Sequence, residues 1–77
     1  MKIKEAERLT GIPAANIRYY EKEGLIHPER GKENHYREYQ MSDIEKLEQI
    51  KILRLLGITL EEIKRLFQEE DTLENDM

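Results

Sequence analysis

The chain has 77 residues, no cysteine and 39% charged residues. A chain this short forms one domain with a small core, since it buries only roughly 60% of the surface that its unfolded form exposes. Without cysteine it has neither disulfide bonds nor thiolate metal ligands. No stretch approaches the roughly 20 apolar residues of a transmembrane helix, and the charged N-terminus does not resemble a signal peptide. We therefore expect a cytoplasmic protein with no membrane partner.

The formal charge of -4 is unevenly distributed along the chain. Residues 1–37 contain eight Lys/Arg and six Asp/Glu, a balance of +2, whereas residues 38–77 contain five and eleven, a balance of -6. Affinity for a polyanion depends on the field where contact is made. The net acidity therefore weakens a nucleic-acid function without excluding it.

The first quarter of the chain predicts two short helices. Apolar residues three positions apart indicate a helix over residues 4–10. Gly11 can adopt the positive φ that ends a helix, Pro13 suits the first turn of the next one, and Gly24 ends that helix. This is helix-turn-helix spacing. We expect three residues of this region to face the core: Ile12, Ile17 and Tyr20.

The middle of the chain predicts a β-hairpin, because Pro28 and Gly31 interrupt any helical pattern. Residues 25–26 and 35–39 are the predicted strands, and the sequence RGKEN between them is a polar tip.

Two further helices follow. Capping boxes predict their starts, Ser42 with Glu45 and Thr59 with Glu62. The first of these helices is expected over residues 43–56. Ile52, Leu55 and Leu56 widen its apolar surface near the C-terminal end, so we expect that half to be buried on more than one side. The second carries an apolar stripe of Leu60, Ile63, Leu66 and Phe67.

The predicted fold is therefore mainly α, a winged helix-turn-helix in the order helix-helix-β-hairpin-helix-helix. Residues 1–68 form the domain, and residues 69–77 are an acidic tail or the start of a further element. Such a fold offers one helix to the major groove and a loop to the adjacent backbone.

The second helix carries the first candidate contacts. Its N-terminal residues Ala14, Ala15 and Asn16 are placed to meet base edges, where alanine can touch a thymine methyl and asparagine can pair with adenine. They can equally be two good helix formers and a solvated amide.

Arg18 and Tyr19 are predicted to point outward, because adjacent helical positions lie about 100° apart and Tyr20 continues the inward face. A guanidinium beside a phenol suits phosphate oxygens. The alternative pairs Arg18 with Glu21 or Glu23 and lays Tyr19 on an apolar surface.

Basic and aromatic residues alternate at the hairpin, which suits DNA backbone contacts, although an ordinary soluble hairpin fits as well. They are Arg30, Lys32, Asn34, His35, Tyr36, Arg37 and Tyr39. His27 and His35 make only a weak case for a metal site. No cofactor, metal or enzyme activity is expected.

Three motifs, in this order, resemble the N-terminal DNA-binding domain of MerR-type transcription regulators. LTGIPAANIRYYEKEGLI resembles its helix-turn-helix, NHYREY its wing, and LLGITLEEIKRLF its later helices. His35 replaces a usual glycine in the wing and Asn16 a frequent threonine. The resemblance covers residues 2–68.

The resemblance implies that the chain binds and distorts double-stranded promoter DNA as a homodimer, which acts on RNA polymerase indirectly. The dimer would form through a C-terminal helix largely absent from this sequence. By matching position, the phosphate contacts are Arg18, Tyr19, Tyr36 and Arg37, the base contacts are Ala14, Ala15 and Asn16, and the second-wing candidates are Lys51 and Arg54.

Two alternatives remain. The chain can be a protein-interaction module that docks a partner through the apolar end of helix 43–56 and the acidic tail. It can also be a small phage or transposon winged-helix protein that bends DNA.

Overall fold

The computed structural model describes residues 1–30 and 37–75. Within these ranges the chain forms four α-helices and two short strands. In order they are α1 (Ile3–Thr10), α2 (Ala14–Lys22), β1 (Glu29–Arg30), β2 (Arg37–Glu38), α3 (Met41–Leu55) and α4 (Leu60–Asn75). This order confirms the mainly helical, winged helix-turn-helix prediction. Among the described helices, none has both the length and the apolar character needed to cross a membrane.

The turn between α1 and α2 is held by a dense set of hydrogen bonds. Gly11 ends α1 with a φ of 74°, and its N–H donates to the carbonyl oxygen of Glu7 at 2.8 Å. The Thr10 hydroxyl donates to the carbonyl oxygen of Ala6 at 2.8 Å and accepts the N–H of Ile12 at 3.1 Å. Because glycine reaches this backbone conformation at little cost, the predicted end of the first helix is confirmed.

The two strands form a minimal antiparallel pair, with Glu29 opposite Glu38 and Arg30 opposite Arg37. The predicted strand at residues 25–26 is wrong. Leu25 and Ile26 are buried in the core shortly after α2, and the N–H of Leu25 donates to the carbonyl oxygen of Tyr20 at 3.0 Å. An apolar pair after a helix matches a buried strand in sequence, but here it packs beneath the helix that it follows.

The second predicted strand is confirmed in part, since β2 lies within residues 35–39. Residues 31–36 fall outside the described part of the chain. Most of the predicted hairpin tip belongs to them, as do His35 and Tyr36.

The base of the hairpin is fastened to the start of the chain. The terminal ammonium group of Met1 donates to the carbonyl oxygen of Tyr39 at 2.8 Å, and the N–H of Tyr39 donates back to the carbonyl oxygen of Met1 at 2.7 Å. The same ammonium lies 2.6 Å from the carboxylate of Glu38. Together with Lys2 it lowers the pKa of Glu38. β2 is therefore held at its C-terminal end by the first residue.

Helix α3 begins at Met41, two residues before the predicted start of this helix at residue 43. Gln40 precedes the helix, and its N–H donates to the Asp43 carboxylate at 3.0 Å. The prediction that Ser42 caps with Glu45 is therefore wrong, because the reciprocal pair is shifted upstream and uses Asp43 at the third helical position. The second predicted box is confirmed in part: the N–H of Glu62 donates to the Thr59 hydroxyl at 3.2 Å, and that hydroxyl donates to the Glu62 carboxylate at 3.0 Å.

The core lies where α1, α2, α3 and α4 meet beneath the strand pair. Its buried members are Ala6, Ile12, Ile17, Leu25, Ile26, Tyr39, Ile44, Leu47, Ile50, Ile63 and Phe67. Burial of Ile12 and Ile17, with Tyr20 packed at the edge, confirms the predicted inward face of α2.

The C-terminal end of α3 contradicts the prediction of burial on more than one side. Ile52, Leu55 and Leu56 are 54%, 81% and 72% exposed. Apolar residues at this end extend all round the helix, yet only the face with Ile50 meets the core. The three exposed residues form an uncovered apolar surface, called the α3 patch below.

Candidate nucleic-acid interface

The outer face of α2 presents Arg18 and Tyr19 to solvent, as predicted. Arg18 is exposed and Tyr19 is 50% exposed, whereas Tyr20 packs against the core. The two tyrosine rings lie 6.1 Å apart between centroids, so the inward ring supports the outward one. An exposed phenol and an exposed guanidinium at adjacent positions form a donor pair suited to phosphate oxygens.

The predicted alternative for Arg18, an ion pair with Glu21 or Glu23, is absent among the described residues. Glu21 instead binds Arg37, and Glu23 binds Lys64 at 2.6 Å, which joins the end of α2 to α4. The Glu23 carboxylate raises the pKa of Lys64. Both carboxylates that could neutralise Arg18 therefore have other cations.

The N-terminus of α2 is capped by a residue that the sequence analysis did not single out. The N–H of Ala14 donates to the carboxylate of Glu7 at 2.7 Å. A carboxylate at a helix N-terminus interacts favourably with its dipole, so this bond fixes the angle between α1 and α2. A possible sequence signal was a glutamate one turn before Gly11.

The three predicted base-contact residues lie in different environments. Ala14 is half-buried, while Ala15 and Asn16 are exposed on the outer side of the first turn. Ala15 and Asn16 are therefore free to meet a partner.

Arg37 connects the strand pair to α2. Its Nε lies 2.6 Å from both carboxylate oxygens of Glu21; the hydrogen bond runs to Oε2, and Oε1 stays buried without a hydrogen-bond partner in the described structure. This bond raises the pKa of Arg37. Predicted as a wing contact, Arg37 thus has one edge of its guanidinium held by α2. Tyr36, its predicted companion, lies outside the described residues.

Lys51 and Arg54 each bind a backbone carbonyl. The Lys51 ammonium donates to Thr10 at 2.7 Å and lies 3.2 Å from the Glu48 carboxylate. Arg54 donates to Ile58 at 3.2 Å and remains exposed. Both cations therefore help to fix the turns at which they lie.

An open groove brings these two cations next to the recognition face of α2. Its walls are Gly11, Ile12, Pro13, Asn16, Tyr20, Lys51, Arg54 and Leu55. Asn16 thus shares one depression with Lys51 and Arg54, although 35 residues of sequence separate it from the nearer of the two. Sequence spacing alone could not indicate this proximity, because it depends on how α3 crosses the turn after α1.

A buried phenol lies among the charges where α2 meets the strand pair. Tyr39 is 1% exposed, and its hydroxyl has no hydrogen-bond partner among the described residues. Burial raises its pKa, and the Glu21 carboxylate adds to the shift, while Arg37 and Arg18 oppose it. Arg18 lies one helical turn before Glu21 on α2, so it belongs to the same part of the surface as the Glu21–Arg37 pair.

The helix-turn-helix, the strand pair bonded to its second helix and the exposed Arg18 and Tyr19 define a winged helix-turn-helix domain. The model of the MerR HTH family regulatory proteins matches residues 1–70. The chain belongs to this family.

Curated relatives agree with this assignment. The chain is 41% identical over 80 residues to the HTH-type transcriptional regulator HmrR of Rhizobium leguminosarum bv. viciae, covering 100% of this chain and 61% of the relative. It is 39% identical over 74 residues to the regulator AdhR of Bacillus subtilis (strain 168), covering 92% and 53%. The chain therefore spans little more than half the length of these relatives.

Two solved structures share the fold. The transcription regulator PbrR691 from Ralstonia metallidurans CH34, in complex with lead(II), superposes with a TM-score of 0.85 at 30% identity, covering 96% of this chain and 58% of that one. HiNmlR, a MerR family regulator lacking the sensor domain and bound to promoter DNA, gives 0.85 and 30%, covering 97% and 60%.

Proposed function

We propose that this domain binds double-stranded promoter DNA and distorts it to control transcription. The observation that carries the proposal is the outer face of α2, where Arg18 and Tyr19 are exposed and Arg18 has no ion pair within the described residues. The bound promoter of the neighbouring HiNmlR structure supports the same use of the shared fold.

The proposed contacts divide into two kinds. Arg18 and Tyr19 bind phosphate oxygens, which fixes the position of the domain on the duplex without reading its sequence. Asn16 reads a base edge in the major groove, and Ala15, with the half-buried Ala14 beside it, permits close approach.

Two further sets of proposed phosphate contacts lie beside α2. On one side, Lys51 and Arg54 offer positive charge across the groove that they share with Asn16. On the other, Arg37 of β2 and the neighbouring Tyr36 contact the backbone from the wing. Backbone contacts on both sides of a helix in the groove can hold a duplex in a bent or untwisted form, which gives specificity at bases that the protein never touches.

The domain is inferred to work as a homodimer joined by a helix that follows α4, and to act on RNA polymerase only through the shape of the promoter. The dimer is the arrangement that membership of the MerR family leads us to expect, and the curated relatives are longer than this chain. Residues 1–68 are the proposed DNA-binding unit; residues 69–77, whose first part still belongs to α4 (Leu60–Asn75), are proposed to lead into that helix. The proposed compartment is the cytoplasm, where bacterial promoters lie.

The proposal is tested by selecting 30-base-pair duplexes from a random pool with the 77-residue chain and measuring Kd between 50 and 200 mM salt. A specific, phosphate-gripping domain should prefer the selected duplex over a scrambled one and lose affinity steeply with salt. Equal affinity for both duplexes, or a flat salt response, contradicts it. Fluorescence energy transfer between the duplex ends then reports bending on binding.

The α3 patch favours a second function, binding to another protein. Ile52, Leu55 and Leu56 are all more than half exposed, and exposed apolar residues that lie together often mark interaction sites. The patch suits an apolar helix of a partner chain, including a second copy. This role is compatible with DNA binding, and sedimentation of the chain with and without duplex separates the two.

A further inference from the structure

The structure contains a carboxylate in an unexpected place, next to a residue proposed to bind phosphate. The Glu21 side chain is 19% exposed, and the Arg37 side chain that it binds is 37% exposed. The carboxylate is thus mostly covered, while part of the guanidinium faces solvent. Placed near DNA, a bare carboxylate repels phosphate, so its presence requires a compensating role.

The geometry of the pair supplies one. Guanidinium is planar and carries five N–H donors in a fixed fork. Glu21 takes the Nε donor of Arg37 at 2.6 Å, and no described residue accepts a hydrogen bond from the two Nη groups. Fixing Nε fixes the plane of the fork, and therefore the direction in which the Nη groups point.

The pair also links a cation of the strand pair to the helix that carries Arg18. Glu21 is three residues after Arg18 on α2, one helical turn away, and Arg37 lies on β2, 16 residues further along the chain. Tyr39 feels the charges of all three groups. The sequence and the ion pair therefore place two arginines around one mostly covered carboxylate, and the formal charge of the three groups is positive.

We propose that Glu21 is a positioning residue for DNA binding, which holds the guanidinium of Arg37 beside that of Arg18 so that both address one stretch of phosphate backbone. This inference rests on the proposed function. It predicts that removing the carboxylate weakens DNA binding, although removing a negative charge near DNA would by itself strengthen binding.

The test measures Kd for the selected duplex, at several salt concentrations, for the parent chain, Glu21→Gln, Arg37→Gln and the double variant. Arg37→Gln should weaken binding and reduce the salt slope by about 1, the loss of one phosphate contact. Glu21→Gln should weaken binding about threefold to tenfold with the slope unchanged. The double variant should match Arg37→Gln, because the carboxylate acts only through the arginine.

Controls separate positioning from folding. Glu5→Gln breaks the Glu5–Arg8 pair on α1, another glutamate–arginine pair, and should leave Kd unchanged. Circular dichroism melts identify any variant that is unfolded at the assay temperature. Arg37→Lys keeps the charge but loses the fork, and should bind more weakly than the parent chain with an unchanged slope.

Tighter binding by Glu21→Gln, or additive losses in the double variant, overturns the inference and leaves the proposed function standing. An unchanged slope for Arg37→Gln overturns it too, since the arginine then touches no phosphate. If the parent chain itself binds duplex DNA without salt dependence, the proposed function fails instead.

Discussion

The ammonium group of Lys51 lies 2.7 Å from the carbonyl oxygen of Thr10, so that a side chain of α3 closes the C-terminal end of α1 across 41 positions of sequence. The last carbonyls of a helix have no partner within the helix, and a cation there interacts favourably with the dipole. Since α2 begins four residues after Thr10, this bond also helps to hold the turn that leads from α1 into α2.

Replacing Lys51 by Met should therefore destabilise the domain by about 1 kcal/mol, a modest value because the ammonium is partly exposed. Lys46→Met on the same helix is the matched control, since no described hydrogen bond or ion pair involves Lys46. Urea denaturation measures both free energies of unfolding. Equal values for the two variants would show that the carbonyl contact contributes nothing.

Arg18→Ala should weaken binding to every duplex alike, by about tenfold, because a charge-assisted hydrogen bond to phosphate carries no sequence information. The salt slope should fall by about 1. Arg8→Ala on α1 is the control, because the Arg8 guanidinium is already bound to Glu5. A loss confined to one duplex sequence would mean that Arg18 reads bases.

Asn16→Ala should instead change the order of preference among duplexes. A bidentate amide–adenine contact discriminates against the wrong base by about 1–3 kcal/mol, so the variant should lose that discrimination at one base-pair position and keep its salt slope. Binding to a set of single-base-pair variants of the selected duplex measures it. A uniform loss at all positions would assign Asn16 to the backbone.

The α3 patch predicts a contrast in stability within one helix. The double change of Leu55 and Leu56 to Gln should alter the free energy of unfolding by no more than about 0.5 kcal/mol for each residue, because both are exposed. Ile50→Ala, at a fully buried position, should cost about 2–5 kcal/mol. Chemical denaturation at low protein concentration compares the free energies of unfolding. A large loss of stability from the double change would mean that Leu55 and Leu56 are buried within the single folded chain.

Tyr39→Phe should leave the domain as stable as the parent or more stable, because an unpartnered buried hydroxyl costs about 1–3 kcal/mol. The pH dependence has a definite sign. The folded-state pKa is raised above 10.0, so the contribution of neutral Tyr39 is complete below pH 10 and is lost as pH rises toward the folded-state pKa.

Tyr39→Phe should therefore remove part of the fall in stability above pH 10, as measured by thermal melts across that range. Tyr19→Phe, which changes a half-exposed phenol, is the control and should alter stability by less than about 0.5 kcal/mol. A parallel alkaline fall in Tyr39→Phe and the parent would contradict the burial of this hydroxyl.

Local chemistry allowed much of the fold to be predicted from sequence. Gly11, Pro13 and the Thr59 cap act through bonds within a few residues, so their effects are readable from spacing. The failures lie where several local solutions compete: an apolar pair after Gly24 fits a strand or a buried turn, and Gln40–Asp43 competes with Ser42–Glu45 for one helix start.

The candidate site divides in the same way. The outward direction of Arg18 and Tyr19 follows from helix geometry and needs no tertiary information. The partners of Arg37 and Lys51 do not, because each bond joins elements whose relative placement depends on core packing. The exposure of Leu55 was missed because hydrophobicity reports what a residue prefers, and not what the fold supplies to cover it.

The carboxylate of Glu7, 2.7 Å from the N–H of Ala14, restricts the direction from which DNA can arrive. It occupies the positive end of α2, where an anion would otherwise be attracted. A duplex approaching along the helix axis meets that negative charge head-on. If the domain binds DNA as proposed, the duplex would approach the side of α2 that carries Ala15 and Arg18, because the Glu7 carboxylate disfavours phosphate at the helix tip.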